Sequence, residues 1–134
     1  MRRSSLRVIL SAALVVSCVA VWAYAAVHKG DPKHGKEKYM ENMRCSACHG
    51  ESGKGDGPAA MALNPKPRNY VDCSIMGKES DTKLFKVIKE GGPAAGFSPL
   101  MVPFGSQLSD QDIWDIIAFI RSIPKPPCKV TAKD

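Results

Sequence analysis

The sequence predicts an all-α fold, three or more short helices joined by two long loops. Three observations carry this reading. No run of the chain alternates apolar and polar residues with period two, several segments repeat apolar residues at helical spacing behind good N-cap residues, and 11 Gly and 10 Pro gather in the stretches between them. With 134 residues, 44% hydrophobic and 24% charged, the chain is neither disordered nor fibrous. Its apolar residues are front-loaded, however, because no charge occurs from Val8 to Val27. About a hundred residues are left for the folded domain, a size that buries only about two thirds of its unfolded surface. A large multi-domain enzyme is excluded, and the helices need something besides their own side chains to fill the middle.

The first 25 residues have the layout of an export signal. Arg2, Arg3 and Arg7 precede the apolar stretch, and Ala23-Tyr24-Ala25 fits the small-x-small rule for peptidase cleavage after Ala25. Two other fates stay open: twenty uncharged residues can span a bilayer if left uncut, and Val15-Val16-Ser17-Cys18 resembles a lipoprotein processing box. Each fate puts the remainder outside the cytoplasm, in an oxidising compartment. Cleavage removes three Arg and no acid, so the net charge of +6 falls to +3. The remaining basic residues are dispersed and no nucleic-acid motif accompanies them, which reads as a solvated surface.

After a linker over 26–30, Asp31-Pro32 starts a first helix carried by Lys33 to Arg44, with Gly35, Tyr39, Met40 and Met43 near one face. Gly50 to Asp72 is rich in Gly, Pro and Asn and is a long loop. Ser80 or Asp81 caps a second helix through Glu90, with Leu84, Phe85 and Ile88 apolar and Gly91 as its stop. Gly92 to Gln107 forms the second loop. Ser109-Asp110-Gln111-Asp112 then opens the clearest helix, in which Ile113, Ile116, Ile117 and Ile120 follow the i, i+3, i+4, i+7 rule and Pro124 closes the end. The folded domain therefore spans 31–123, and 124–134 is a C-terminal tail.

Cys45-Ser46-Ala47-Cys48-His49 is the C-x-x-C-H sequence of covalent c-type haem attachment. Two Cys three apart lie on one side of a helical turn, so both thiols can add to the vinyl groups on one edge of a porphyrin, and the adjacent His sits beneath the iron as proximal ligand. A redox dithiol expects a βαβ setting that is missing here, and a structural zinc site expects a second ligand pair. One haem c, held by Cys45 and Cys48, is the filler the helices require.

On these residues 31–123 resembles a small class I cytochrome c. The matching elements are Gly35 and Tyr39, Cys45 to Gly50, Gly57-Pro58, Asn64-Pro65-Lys66-Pro67-Arg68, Ser98 to Gly105, and Leu108-Ser109-Asp110 through Ile123. The resemblance implies a helical fold wrapped around the haem, with Met101 as second axial ligand, although Val102 separates it from Pro103. Met61 and Met76 are alternatives within chain reach, whereas Met40 and Met43 lead into the haem motif and cannot readily reach the opposite face. The proximal His needs an acceptor for Nδ1 to fix its tautomer, and the resemblance implies the carbonyl of Pro58. Arg68 and Tyr70 are candidates for hydrogen bonds to a haem propionate. Gly35 lets the first helix cross closely over the last, with Tyr39 against Phe119 or Ile116. Trp114 packs, and His28 and His34 are solvated.

Once Cys45 and Cys48 are committed to haem and Cys18 leaves with the signal, Cys73 and Cys128 remain to pair as a disulfide. With His and Met on the two axial positions no site is open for substrate, and no triad, carboxylate pair or phosphate loop competes. The expected function is one-electron transfer between exported redox proteins that dock transiently at the haem edge, without an enzymatic role or nucleic acid, and with membrane contact only if the N-terminal segment is retained. A haem subunit of a dehydrogenase or reductase complex, and a haem enzyme or sensor with a labile Met, stay open as alternatives.

Overall fold

The structure is a computed structural model that describes residues 30–41 and 44–132. The export segment 1–25 with Cys18, most of the linker including His28, Met43, and the end of the tail lie outside the described residues.

Among the described residues there are five α-helices and no strand. They are α1 (Pro32–Met40), α2 (Ser46–His49), α3 (Cys73–Met76), α4 (Asp81–Glu90) and α5 (Asp110–Ser122), with 3-10 turns at Pro58–Ala62 and Gly92–Ala95. Helix α1 starts where expected, its Asp31 cap accepting from the Lys33 N–H at 2.8 Å. It stops earlier than the apolar spacing suggests, because the chain turns inward: the Cys45 N–H donates back to the Tyr39 carbonyl at 3.3 Å. Helix α4 has Ser80 as N-cap and stops at Gly91, whose φ of 88° is costly for any residue with a Cβ. Helix α5 carries a full capping box, in which Ser109 accepts from the Asp112 N–H while Asp112 accepts from the Ser109 N–H.

One element departs from the sequence reading. Cys73, in a stretch to which the sequence reading assigned no helix, opens α3, a single turn capped by Asp72, which accepts from the Ser74 N–H at 2.9 Å. One turn is too short to show apolar periodicity.

The core lies where α1 crosses α5. Gly35 faces α5 so closely that a Cβ there would sit 1.8 Å from the Asp115 carbonyl oxygen. This approach seals Tyr39, Ile113 and Ile116, all under 2% exposed, between the helices. Tyr39 meets Phe119 edge-on at 5.2 Å. Trp114 stacks on Phe85 at 4.7 Å and so packs α5 against α4. The tail folds back on α3: the Thr131 N–H donates to the Gly77 carbonyl at 2.7 Å, and the Sγ atoms of Cys73 and Cys128 lie 2.02 Å apart across a Cα separation of 5.1 Å.

Candidate haem site

Helix α2 is one turn, with Cys45 at its N-cap and Cys48 and His49 within it. Its position is set by α1, because the buried Tyr39 hydroxyl donates to the Gly50 carbonyl at 2.7 Å, directly after His49. Burial pushes the Cys45 thiol up to about 12, with the Arg44 charge working in the opposite direction. The thiol is therefore a neutral group packed against the apolar core.

The long loop returns over His49. Gly55 N–H donates to the His49 carbonyl at 2.8 Å, and Tyr70 N–H donates to the Gly53 carbonyl at 2.7 Å. Tyr70 is thereby laid flat on the imidazole, with ring centroids 4.7 Å apart and planes 15° from parallel. The same return brings the Arg68 carbonyl to 3.1 Å from His49 Nδ1. A carbonyl can only accept, so Nδ1 carries the proton and Nε2 keeps its lone pair for a metal. Burial also lowers the His49 pKa, against the upward pull of that hydrogen bond, which favours the neutral imidazole.

The Nδ1 acceptor is a correction to the sequence reading. Pro58, which the resemblance implied for this role, instead opens a 3-10 turn. The loop's second pass, not its first, lies at the imidazole edge.

A cavity of about 570 Å³ opens between these elements. Cys48, His49, Arg68, Tyr70 and Met101 all line it, together with an apolar wall from Leu63, Pro65, Ile75, Leu84, Val87, Ile88, Leu100 and Ile120. Cys45 is not on that wall. Among the described methionines only Met101 borders the cavity: Met61 is 87% exposed, and Met76 is buried in the core at 1%. The Met101 backbone is fixed from two sides, its carbonyl accepting from the Gly92 N–H at 2.8 Å and its N–H donating to the Ser98 carbonyl at 3.2 Å. A Cβ at Gly92 would lie 2.1 Å from the Ser98 oxygen, so only glycine lets the loop fold this tightly.

A neutral imidazole, a thioether, a cysteine on the wall and a largely apolar space of this volume suit a large flat apolar group carrying a metal. The residues present fit a haem. The cytochrome c family model matches residues 32–124. The chain belongs to the cytochrome c family.

Related cytochromes agree in extent. Cytochrome c-554(548) of Halomonas halodenitrificans is 33% identical over 93 residues, spanning 69% of this chain and 96% of that protein. Cytochrome c-554(547) of Halothiobacillus neapolitanus is 29% identical over 70% of this chain and 98% of its own length. A thiosulfate dehydrogenase of Allochromatium vinosum is 30% identical over 72% of this chain, which spans only 33% of that larger protein. Among solved structures, a chain of the reducing HAO-like protein complex of Kuenenia stuttgartiensis shares the fold with a TM-score of 0.55 at 25% identity, over 72% of this chain and 44% of that one. As a cytochrome c, the chain is a haem protein of electron transfer.

Three residues escaped the sequence reading, two beside the site and one, Asp115, at the α1–α5 junction. Glu79, 7% exposed, pairs with Arg68 at 3.3 Å and Lys83 at 2.8 Å. Phe97 has the Arg68 guanidinium 4.5 Å from its ring centroid. Asp115, 3% exposed, accepts from the Asp31 N–H and from Gln111, each at 2.8 Å. The i, i+4 spacing of Glu79 and Lys83 is a signal the sequence does carry, whereas the Arg68 contacts of Glu79 and Phe97 and the α1 partners of Asp115 come from the fold.

Proposed function

We propose that the protein is an exported one-electron carrier holding a single haem c through Cys45 and Cys48, with His49 and Met101 as axial ligands. The observation that carries this is the shared cavity, whose wall includes His49, Cys48 and, of the described methionines, Met101 alone. When bound, the haem supplies an iron that cycles between ferric and ferrous states, and the His/Met pairing raises its reduction potential. The chain's own residues hold the ligands: Arg68 fixes the His49 tautomer through its carbonyl, Tyr70 fixes the ring plane, and Gly92 fixes the Met101 backbone. Arg68 borders the cavity, and its guanidinium is engaged by Glu79 and Phe97. A propionate contact would use its remaining N–H groups.

Export is supported by the N-terminal sequence and by the juxtaposed Cys73 and Cys128, which we read as an oxidised disulfide. No helix among the described residues is long and apolar enough to cross a membrane. Partners are redox proteins docking transiently at the haem edge. The deciding experiment is the ferric absorption and EPR spectrum of the purified holoprotein. A six-coordinate low-spin state with a thioether-to-iron band supports the carrier; a high-spin ferric state supports a haem enzyme or sensor.

A second reading is favoured by the thiosulfate dehydrogenase and HAO-like relatives, both larger than this chain. In it the protein is the haem subunit of a redox complex. Co-purification of a stoichiometric partner from the native source separates it from the free carrier.

A further inference from the structure

We infer that Glu79 is a positioning residue for the Met101 loop, acting through two cations that it aims at Phe97. The inference rests on Met101 being the axial ligand proposed above.

A carboxylate that is 7% exposed is costly unless its charge is met, and here two cations meet it, Arg68 Nη1 on Oε1 at 3.3 Å and Lys83 Nζ on Oε2 at 2.8 Å. Both cations then stand 4.5 Å from the centroid of the Phe97 ring. A cation at that distance is attracted by the ring's negative faces. Neither side chain would hold that place unaided, since Lys83 is 41% exposed at its side chain and both are long and rotamer-rich. Glu79 supplies the fixed point. Its own backbone is held from α5, where the Arg121 guanidinium donates to the Glu79 carbonyl, to the Met76 carbonyl at 2.8 Å and to Asp81 at 2.8 Å.

Phe97 lies in the same loop as Met101 and is stitched to it. Its N–H donates to the Gly92 carbonyl at 2.8 Å, and the Gly92 N–H donates to the Met101 carbonyl at 2.8 Å. Anchoring the Phe97 ring therefore anchors the methionine backbone. Arg68 joins this distal anchor to the proximal side, because its carbonyl accepts from His49 Nδ1. One residue thus touches both halves of the site, and Glu79 sets where its side chain points.

The test uses the full haem-loaded protein and imidazole as a competing ligand for ferric iron. Imidazole replaces the methionine only when the loop lifts, so its apparent affinity reports the open fraction. The wild type must first show the thioether-to-iron band; its absence overturns the Met101 reading and the inference with it. With the band present, Glu79→Gln should tighten imidazole binding about tenfold, the loss expected when both cation–ring contacts are released. Phe97→Leu should do the same, and the double variant should add little to either. Unchanged imidazole affinity in both single variants, or fully additive effects, would overturn the inference, as would a lowered unfolding midpoint with unchanged affinity. If Glu79→Gln does not fold, Phe97→Leu and Lys83→Gln decide the matter alone.

Discussion

His34 Nδ1 donates to Oδ2 of Asp115 at 2.6 Å, joining the first turn of α1 to the middle of α5. The sequence reading left His34 solvated, and its side chain is indeed 41% exposed, but its inner edge is committed to a carboxylate that is almost fully buried. The same carboxylate accepts from the Asp31 N–H, so the cap of α1 and its first His converge on one residue of α5. Asp112 adds a second negative charge 3.9 Å from Nε2, and Lys38 stands 3.6 Å from Asp112.

This contact makes the α1–α5 junction pH-dependent. The Asp115 hydrogen bond raises the His34 pKa, helped by the Asp115 and Asp112 charges and opposed by desolvation and Lys38. Burial pushes the Asp115 pKa up, but the hydrogen bonds from His34, Asp31 and Gln111 bring it below the ordinary value. The raised His contributes stability in full below its unfolded pKa of about 6.5 and loses it as pH rises through the folded value. The depressed Asp contributes above about 3.9 and loses it as pH falls through its folded value. His34→Gln should therefore lower the urea midpoint more at about pH 5.5 than at about pH 9. Equal losses at both would show that the contact is steric only.

Met101→Ala should leave haem attached, because the proposed thioether bonds to Cys45 and Cys48 do not involve the distal loop. The ferric spectrum should pass to high spin or to a replacement ligand, while Met61→Ala, at a residue 87% exposed, should leave it unchanged. A retained Met-type band in Met101→Ala would return Met76 and Met61 to consideration, despite their places away from the cavity wall.

Gly35→Ala sets two effects against each other. Alanine is the better helix former by about 1 kcal/mol. Its Cβ, however, would fall 1.8 Å from the Asp115 carbonyl oxygen and 2.8 Å from the Ile116 nitrogen, backbone atoms that cannot rotate away. The helices must separate, uncovering Tyr39, Ile113 and Ile116, and overpacking of this kind costs about 1–3 kcal/mol or more. Overlap should win. Denaturant unfolding of the holoprotein should show a net loss of about 1–2 kcal/mol; a variant as stable as wild type would mean that α1 can slide.

What was legible in the sequence was local. The Ser109–Asp112 cap, the isoleucine spacing of α5 and the Ser80 and Gly91 boundaries of α4 depend on neighbours in the chain, and each lies where the pattern put it. The haem motif is likewise one contiguous turn. What could not be read depends on where a Gly- and Pro-rich loop comes back. The return of 68–70 over His49 decides that Arg68, not Pro58, faces Nδ1, and it also brings Arg68 to Glu79 by tertiary contact, whereas Lys83 meets Glu79 at the local i, i+4 spacing. Composition marked the segment as a long loop but held no register for it.

The pairing of Cys73 with Cys128 yields the last prediction. The two residues are 55 positions apart, so closing that loop restricts the unfolded chain by about 4 kcal/mol in the chain-entropy account. In the folded protein the bond would fasten the tail to α3, whose Ile75 lines the haem cavity and whose Met76 is buried in the core. Thr131 reinforces the attachment, its hydroxyl donating to the Gly77 carbonyl at 3.0 Å beside the main-chain bond. Those hydrogen bonds remain when the sulfurs are removed, so the folded state should lose little of its own structure. Cys73→Ser with Cys128→Ser should therefore keep the haem spectrum while lowering unfolding free energy by about 2–4 kcal/mol. Thiol labelling of the unreduced, denatured holoprotein should find neither Cys73 nor Cys128 free. Two labelled thiols at those positions, or a double variant with wild-type stability, would leave the tail held by its hydrogen bonds alone.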